Sequence, residues 1–536
     1  MNQPRPEYPR PILQRPDWLN LNGTWDFDTD PNDTGRIDRW YQGHDYAATI
    51  IVPFTMNANA SGASHLSSCD IVWYSRTFTL PEDWQPGTRL LHFGACDHKA
   101  WVYVNGELAG EHTGGYAPFH RDVTHLLRAG ENNLTVRVSD SPTWTQPRGK
   151  QAGTTRWPID YDAIIGLWQT VWLEPVARVH VTSTWSSYTV ATRTLQVNAR
   201  LSHMATGELQ VDLCRAGKVM QQMQVAFTDR PEVRLDFIVD NPALWSPVDP
   251  ALYDVNLRLI TGEGGVEDAC SSYVGLREIK TQQRQMLLND EPLYLRGVLD
   301  QGYFPEGWYS AIDDAQYKTD IELTLAMGFN CVRKHQKAED PRYLYWADKL
   351  GLLVWAEMPS GRIFSTELVE TLSAEWLALV CRDRGHPCVI TWVPFNESWG
   401  VWHQDSRPAQ RAFVEAMVSL TQALDPTRPV VGNDGWEFSR GDLWTLHLYE
   451  TATETIAARL QALMKDPTQF VGGRRVGALP GTDVSELPIV LTECGGIGFS
   501  HEVRGDDFAY GQLPKTAGEL HERFEAIARE VGHADV

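Results

Sequence analysis

Short runs of alternating apolar and polar residues fill the first third of the chain. They include "GTWDFD", "VWYSRTFTL" and "KAWVYVNGELAG", and Gly, Asn, Asp and Pro separate them. This alternation predicts half-buried strands. The pair Asn105-Gly106 between apolar residues predicts a tight hairpin. Many short strands with turns at this spacing indicate a β-sandwich over residues 1–177.

Strand-like patterns continue over residues 178–278. The runs "LQVNARL", "ELQVDLCRA" and "ALYDVNLRLI" again place apolar residues at every second position. A stretch of about 100 residues with this pattern is typical of an immunoglobulin-like β-sandwich.

The pattern changes after residue 279. Short apolar runs now alternate with helix-length amphipathic stretches such as "PAQRAFVEAMVSLTQALD". Repeated βα units predict a parallel sheet, and this number of them indicates a (β/α)8 barrel over residues 279–536. The seven predicted strands lie in "LYLRGVLD", "FNCVRKH", "GLLVWAEM", "VITWVPFNE", "RPVVGNDG", "LWTLHLYE" and "LPIVLTECGG".

An eighth barrel strand is missing from the pattern. The helix-like stretch "TAGELHERFEAIAREVG" follows the seventh strand, and no further strand can be identified after it. A closed barrel needs that strand, because an unpaired edge exposes backbone groups and core. We expect either that another part of the chain covers this edge or that the chain is a truncated or split form.

Nearly every predicted barrel strand ends in polar residues. Barrel enzymes carry their catalytic groups at the carboxyl ends of the strands, so a ring of such residues indicates an active site. A salt bridge could explain one or two of them, but not the whole ring. The residues are Asp300, Arg333, His335, Glu357, Asn396, Glu397, Asn433, Asp434, His447, Tyr449 and Glu493.

Two of these residues suggest a specific chemistry. Glu397 and Glu493 end strands four and seven, on opposite sides of the predicted barrel mouth. Cleavage of a glycosidic bond needs two facing carboxyl groups, one protonated and one ionised. Tryptophan faces pack on the CH faces of sugar rings, and Trp399, Trp402 and Trp436 are candidates, although a core role is the commoner one for any single tryptophan.

Composition and charge narrow the possible partners. The 536 residues are 42% hydrophobic and 22% charged, with a formal net charge of −22. That charge argues against nucleic acid or an anionic membrane as the main partner. We find no apolar signal segment, no membrane span and no C-x-x-C pair among eight cysteines, so we expect a cytoplasmic protein with reduced cysteines and no structural zinc.

The chain resembles glycoside hydrolase family 2, the β-galactosidases, β-glucuronidases and β-mannosidases. "VPFNESWG" resembles its acid/base motif, and "LTECGGIG" resembles its nucleophile motif. The N-terminal "LNGTWDF", "WVYVNGELAGEHTGGYAPF" and "GLWQTVWLEPV" also match, in the family's order of domains. The resemblance implies a jelly-roll-like sugar-binding domain, an immunoglobulin-like domain and a TIM barrel.

The resemblance also implies residue roles for a retaining exo-β-glycosidase. Glu493 would be the nucleophile, Glu397 the acid/base, and Asn396 a donor to the sugar 2-hydroxyl. The remaining substrate-binding candidates are Arg333, His447, Tyr449, His335, Asp300, Glu357, Trp399 and Trp436. The family mechanism needs no metal cofactor, and family members are often homo-oligomers.

Three departures from the family pattern leave alternatives open. Strand one ends in "LDQGY" rather than "NRHE", Cys494 follows the nucleophile where an aromatic residue is usual, and strand eight is missing. A β-galactoside or β-glucuronide is the expected substrate. The alternatives are a truncated, weakly active or inactive member that acts as a carbohydrate-binding protein, and a structural or adhesive sandwich protein.

Overall fold

The computed structural model describes residues 3–85, 87–262, 265–450, 452–473, 475–500 and 509–532. Two β-rich regions come first, and a region of parallel strands and helices follows. We call them the N-terminal sandwich, the middle sandwich and the parallel-strand region. None of the described helices is long and apolar enough to span a membrane.

The N-terminal sandwich consists of two main antiparallel sheets that pack on one core. One sheet has the order β3-β2-β4-β10-β7-β8 and the other has the order β1-β12-β5-β9, while β6 pairs with β11. The predicted hairpin joins β7 to β8, and both Asn105 and Gly106 have the positive φ that this turn requires. The elements are β1 Leu19–Asn20, β2 Gly23–Thr29, α1 Thr34–Ile37, β3 Ala48–Val52, β4 Ile71–Thr79, β5 Thr88–Phe93, β6 Cys96–Asp97, β7 Lys99–Val104, β8 Glu107–Thr113, β9 Phe119–Asp122, β10 Glu131–Ser139, β11 Gly166–Leu167 and β12 Val171–Val176.

The middle sandwich is built around two unusually long strands, β14 and β15. Strand β14 pairs with β13, β15 and β18, and its register shifts between Arg200 and Gly207, where the strand passes from one set of partners to the other. Alternate residues of these strands form a separate apolar core. The strands are β13 Val181–Thr189, β14 Thr194–Arg215, β15 Lys218–Ile238, β16 Trp245–Ser246, β17 Asp249–Pro250, β18 Tyr253–Thr261 and β19 Gly265–Val274.

The parallel-strand region begins with a small antiparallel sheet and continues as βα units. Side-chain caps begin several helices: Asp313, Asp340 and Ser365 each accept a backbone N–H of the first turn. The strands are β20 Ile279–Gln282, β21 Gln285–Leu288, β22 Glu291–Pro292, β23 Gly297–Asp300, β24 Cys331–Lys334, β25 Leu353–Glu357, β26 Val389–Val393, β27 Trp444–Leu448, β28 Phe470–Gly472, β29 Arg475–Val476 and β30 Ile489–Cys494. The helices are α2 Asp314–Ala326, α3 Pro341–Leu350, α4 Thr366–Asp383, α5 Pro408–Leu424, α6 Ile456–Lys465 and α7 Ala517–Gly532.

Strands β23 to β26 form one parallel sheet, and β27 pairs in parallel with β30. The predicted fifth strand lies between these two sheets but is not a continuous ladder. It makes isolated parallel bridges from Val430 to Trp392 and from Asp434 to Asn396. The six strands β23 to β27 and β30 therefore direct their carboxyl ends to one side, which we call the mouth.

The side between β30 and β23 differs from the rest of this region. Within the described residues, β23 pairs only with β24 and β30 only with β27, so we find no eighth strand there. Both strands are half-exposed, whereas β24 and β26 are fully buried. Helix α7 packs beside this opening, where Phe524 contacts Phe329 just before β24.

Candidate active site

Glu397 reaches the mouth through an unusual turn after β26. The backbone φ is +50° at Glu397 and +58° at Ser398, a left-handed conformation that non-glycine residues seldom adopt. The Glu397 N–H donates to the Asp434 carbonyl at 2.9 Å, and the Ser398 N–H donates to Asn433 Oδ1 at 2.9 Å. The fifth-strand segment therefore holds the strained turn that aims the carboxylate.

Glu493 lies at the carboxyl end of β30, and a guanidinium and a hydroxyl donate to its carboxylate. Arg333 donates to its Oε1, and the Tyr449 hydroxyl donates to its Oε2. Burial alone would raise the pKa of this carboxyl, but the positive charges of His447 and Arg333 outweigh burial and lower it to about 2. Glu493 is thus an ionised carboxylate at neutral pH.

Arg333, at the end of β24, joins several of the predicted site residues. Its Nη1 donates to Glu357 Oε2 at 3.0 Å, to Asn396 Oδ1 at 3.1 Å and to Asp434. Burial would lower the pKa of the guanidinium, yet these carboxylates raise it. The planar fork of an arginine suits this role, because it orients several acceptors at once.

His447 lies between the two candidate catalytic groups. Its Nδ1 is 2.7 Å from Glu397 Oε1, and its Nε2 is 3.0 Å from Asp434 Oδ2 and 3.5 Å from Glu493 Oε1. A ring with carboxylates at both nitrogens must carry both protons. Burial would lower the pKa of this imidazole, but Glu493 and Asp434 raise it to about 10.

One ligand atom each from Glu397, His447 and Glu493 lie within 4.8 Å of one another. The triplet has the geometry to hold a metal ion, but its atoms already form a network of ion pairs among themselves. A second such group, Asp348, His386 and Cys388, is buried away from the mouth. There the Tyr273 hydroxyl and the Cys388 N–H already donate to Asp348, at 2.7 and 2.8 Å.

Glu357 and His335 lie side by side beneath Arg333. Burial raises the pKa of Glu357 to about 8 despite the opposing charge of Arg333, so this carboxyl is mostly protonated at neutral pH. His335 Nδ1 is 3.1 Å from Glu357 Oε1, and burial lowers the pKa of the ring well below its ordinary value. These two groups are therefore neutral neighbours of the charged cluster.

The other predicted site residues differ in their burial and in their distance from the charged cluster. Asp300 lies at the rim, where Lys334 donates to it at 2.6 Å. Trp436 is half-buried beside Arg475. Trp399 is 3% exposed, with Arg362 over its ring, so the structure corrects the expectation that it offers a face to a sugar. Cys494 is exposed rather than buried like most of the other cysteines.

A part of the mouth comes from the N-terminal sandwich, which the sequence analysis did not anticipate. Residues 140–165, between β10 and β11, cross to the parallel-strand region. Asp160 forms a buried ion pair with Arg362, whose guanidinium also lies 4.3 Å from the Trp144 ring centroid and 4.1 Å from that of Trp157. The cluster of Trp, Arg and Asp in "SPTWTQPRGKQAGTTRWPIDYD" was the available signal, but it indicates no partner by itself.

Comparison with known proteins agrees with this organisation. Models of glycosyl hydrolases family 2 match residues 19–151 (sugar binding domain), 175–277 and 279–471 (TIM barrel domain). A β-galactosidase of Thermoanaerobacter pseudethanolicus is 28% identical over 68% of this chain, and the match spans 48% of that protein. A β-glucuronidase of Felis catus is 28% identical over 81% of this chain and 71% of its own length.

Solved structures show the same fold. A β-glucuronidase from Ruminococcus gnavus in complex with D-glucaro 1,5-lactone superposes with a TM-score of 0.81 at 22% identity. The superposition covers 99% of this chain and 91% of that one. With all three family models matched in consecutive order, the chain belongs to glycosyl hydrolases family 2.

Proposed function

We propose that the chain is a retaining exo-β-glycosidase that hydrolyses terminal β-linked sugars by double displacement. The substrate is a β-galactoside or a β-glucuronide. The relatives named above are β-galactosidases and β-glucuronidases, which supports this class of substrate.

The spacing of the two carboxylates is the main support for double displacement. Glu397 and Glu493 each present an oxygen within 4.8 Å of the other. Retaining glycosidases hold their carboxyl groups about 5–5.5 Å apart, whereas inverting ones need about 6.5–9.5 Å to admit a water. An oxygen–oxygen distance within 4.8 Å favours the closer, retaining arrangement.

Glu493 is the nucleophile in this proposal. Its low pKa keeps it ionised, and Arg333 and Tyr449 fix the directions of its two oxygens. It attacks the anomeric carbon and forms a glycosyl ester while the glycosidic C–O bond breaks.

Glu397 is the acid and then the base. His447 occupies its Oε1, so we assign its Oε2 to the glycosidic oxygen, which receives the proton as the aglycone leaves. After this transfer Glu397 is ionised, and it takes a proton from the incoming water. The water oxygen bonds to the anomeric carbon as the ester bond to Glu493 breaks, which releases the sugar with its configuration retained.

Asn396 has a defined orientation for contact with the sugar. Its Oδ1 accepts from Arg333, which leaves the Nδ2 amide group to donate to the 2-hydroxyl. A bond of this kind strengthens in the transition state of glycoside hydrolysis. The pocket for the rest of the glycone is then lined by His335, Glu357 and Asp300.

The alternative of a non-catalytic carbohydrate-binding protein has no support from the relatives. The charged cluster around Arg333 is assembled even though, in the described part of the chain, no strand pairs between β30 and β23. A binding protein has no need of an ionised carboxylate facing a second one across a narrow gap.

The test is hydrolysis of p-nitrophenyl β-glycosides, including the galactoside, glucuronide, mannoside and glucoside, by the purified chain. We expect turnover of at least one, with the β-anomer of the product formed first by ¹H NMR. Glu493→Gln should abolish turnover in a folded protein, and Glu415→Gln, in a half-buried ion pair on α5, should not. Near-normal activity of Glu493→Gln would overturn the assignment of the nucleophile.

Glu397→Ala tests the acid/base separately. Only poor leaving groups need protonation, so this variant should lose about 10²- to 10⁴-fold on alkyl glycosides and much less on nitrophenyl glycosides. An equal loss on both kinds of substrate would argue against this role for Glu397.

A further inference from the structure

The segment from the N-terminal sandwich places one lysine at the mouth. The N–H groups of Arg148 and Gly149 both donate to the Ser360 carbonyl, at 3.1 and 3.0 Å. Gly149 has a φ of +58°, and a Cβ there would lie 2.1 Å from the Gln336 carbonyl oxygen. Only glycine permits this approach, and the next residue is Lys150.

Lys150 therefore stands beside the end of β24. The neighbouring Gln336 follows the tip residue His335, and its N–H donates to Glu357 Oε1 at 2.9 Å. A second anchor fixes the segment, since the Arg362 N–H donates to the Trp144 carbonyl at 2.9 Å.

The charges around Lys150 are those of the active site. Burial lowers the pKa of its ammonium, and Glu493, Glu397 and Glu357 are the carboxyl groups that oppose this shift. The side chain is half-buried, with no hydrogen bond or ion pair to its ammonium among the described residues.

The other cations at this end of the region are engaged. Arg333 donates to Asn396 and forms ion pairs with carboxylates, and Lys334 pairs with Asp300 and Glu339 at 2.6 and 2.7 Å. Lys337 donates to two backbone carbonyls and pairs with Glu339. Lys150 is thus the uncommitted cation at the mouth within the described part of the chain.

We propose that Lys150 binds a carboxylate on the glycone and makes the site selective for uronides over the corresponding neutral sugars. This inference deepens the proposed function and rests on it. An ammonium at the mouth without a partner among the described residues suits an anion supplied by the substrate. The positive group is local, because the protein as a whole carries a net charge of −22.

The test compares two substrates that differ only at C6, p-nitrophenyl β-D-glucuronide and p-nitrophenyl β-D-glucoside. The readout is the ratio of their kcat/KM values. Lys150→Met should lower this ratio about 10- to 100-fold, the usual value of a charge-assisted hydrogen bond. Lys150→Arg should restore most of the ratio, and Lys99→Met, at an exposed site of the same sandwich, should leave it at the wild-type value.

A ratio that Lys150→Met leaves unchanged, or a wild type that prefers the glucoside, would overturn the inference. A binding measurement distinguishes failure of the Lys150 inference from failure of the proposed function. Calorimetry on Glu493→Gln, with and without Lys150→Met, compares D-glucuronate with D-glucose. If glucuronate binding depends on Lys150 but the wild type shows no turnover, the Lys150 subsite stands and the proposed activity is rejected.

Discussion

Replacement of Arg333 by methionine should move the acidic limb of the pH–activity profile into an accessible range. Arg333 is buried and forms ion pairs with Glu493 and Asp434, so its loss leaves two buried carboxylates without this counter-charge. Removing one partner of a buried ion pair costs about 3–5 kcal/mol. Each pKa unit corresponds to about 1.4 kcal/mol, so this cost equals about 2–4 units.

The pKa of Glu493 is about 2 in the intact site. The same shift places it at about 4–6 in Arg333→Met, because the ionised form loses the charge of Arg333 while burial still favours the neutral acid. As the pH is lowered, the variant should therefore begin to lose activity at a higher pH than the wild type. At pH 7 the nucleophile remains ionised but poorly oriented, and kcat should fall about 10²-fold.

The assay is kcat/KM from pH 3.5 to 9 on whichever nitrophenyl glycoside the wild type hydrolyses best. Circular dichroism at each pH confirms that the variant is folded. Arg333→Lys keeps the charge but not the fork, so its acidic limb should stay near that of the wild type while kcat falls. Arg411→Met, which breaks the half-buried ion pair with Glu415 on α5, is the matched control. An unshifted limb and near-normal kcat in Arg333→Met would refute the electrostatic role.

Two further predictions concern stability. His447 has its pKa raised from 6.5 to about 10, so its stabilising contribution is full below about pH 6.5 and disappears as the pH rises through 10. The thermal midpoint of His447→Gln should therefore be well below that of the wild type at pH 6, and the gap should narrow at pH 10; a constant gap would contradict this. Asp348→Asn weakens the bond from the Tyr273 hydroxyl, which joins the middle sandwich to the parallel-strand region, and the bond from the Cys388 N–H within that region, so it should lower the thermal midpoint at pH 7 with kcat unchanged. An unchanged midpoint would show that the negative charge of Asp348 is not needed there.

The sequence by itself determined the class of elements and the membership of the family. Alternation with period two and the Asn105-Gly106 turn are local signals, and the structure contains the strands and the hairpin that they predict. The two glutamate motifs are contiguous residues at strand ends, so their approximate location also follows from the order of the elements. The missing eighth strand stays a prediction, and among the described residues no strand pairs between β30 and β23.

Tertiary structure decided the rest, because it depends on which distant residues meet. The sequence made Trp399 a candidate to pack its ring on a sugar, but in the structure Arg362 and Trp157 contact that ring. The fifth strand contains glycine and polar residues that bond across to the Glu397 turn, so it makes isolated bridges instead of a continuous ladder.

The protonation states of the site residues could not be predicted from the sequence either. Whether a histidine is neutral, like His335, or charged, like His447, depends on its burial and on the charges that other strands place around it. The approach of Lys150 requires a segment of the N-terminal sandwich to fold against a strand end almost 200 residues later in the chain. No local pattern encodes such a contact, since it exists only when the separate cores have packed together.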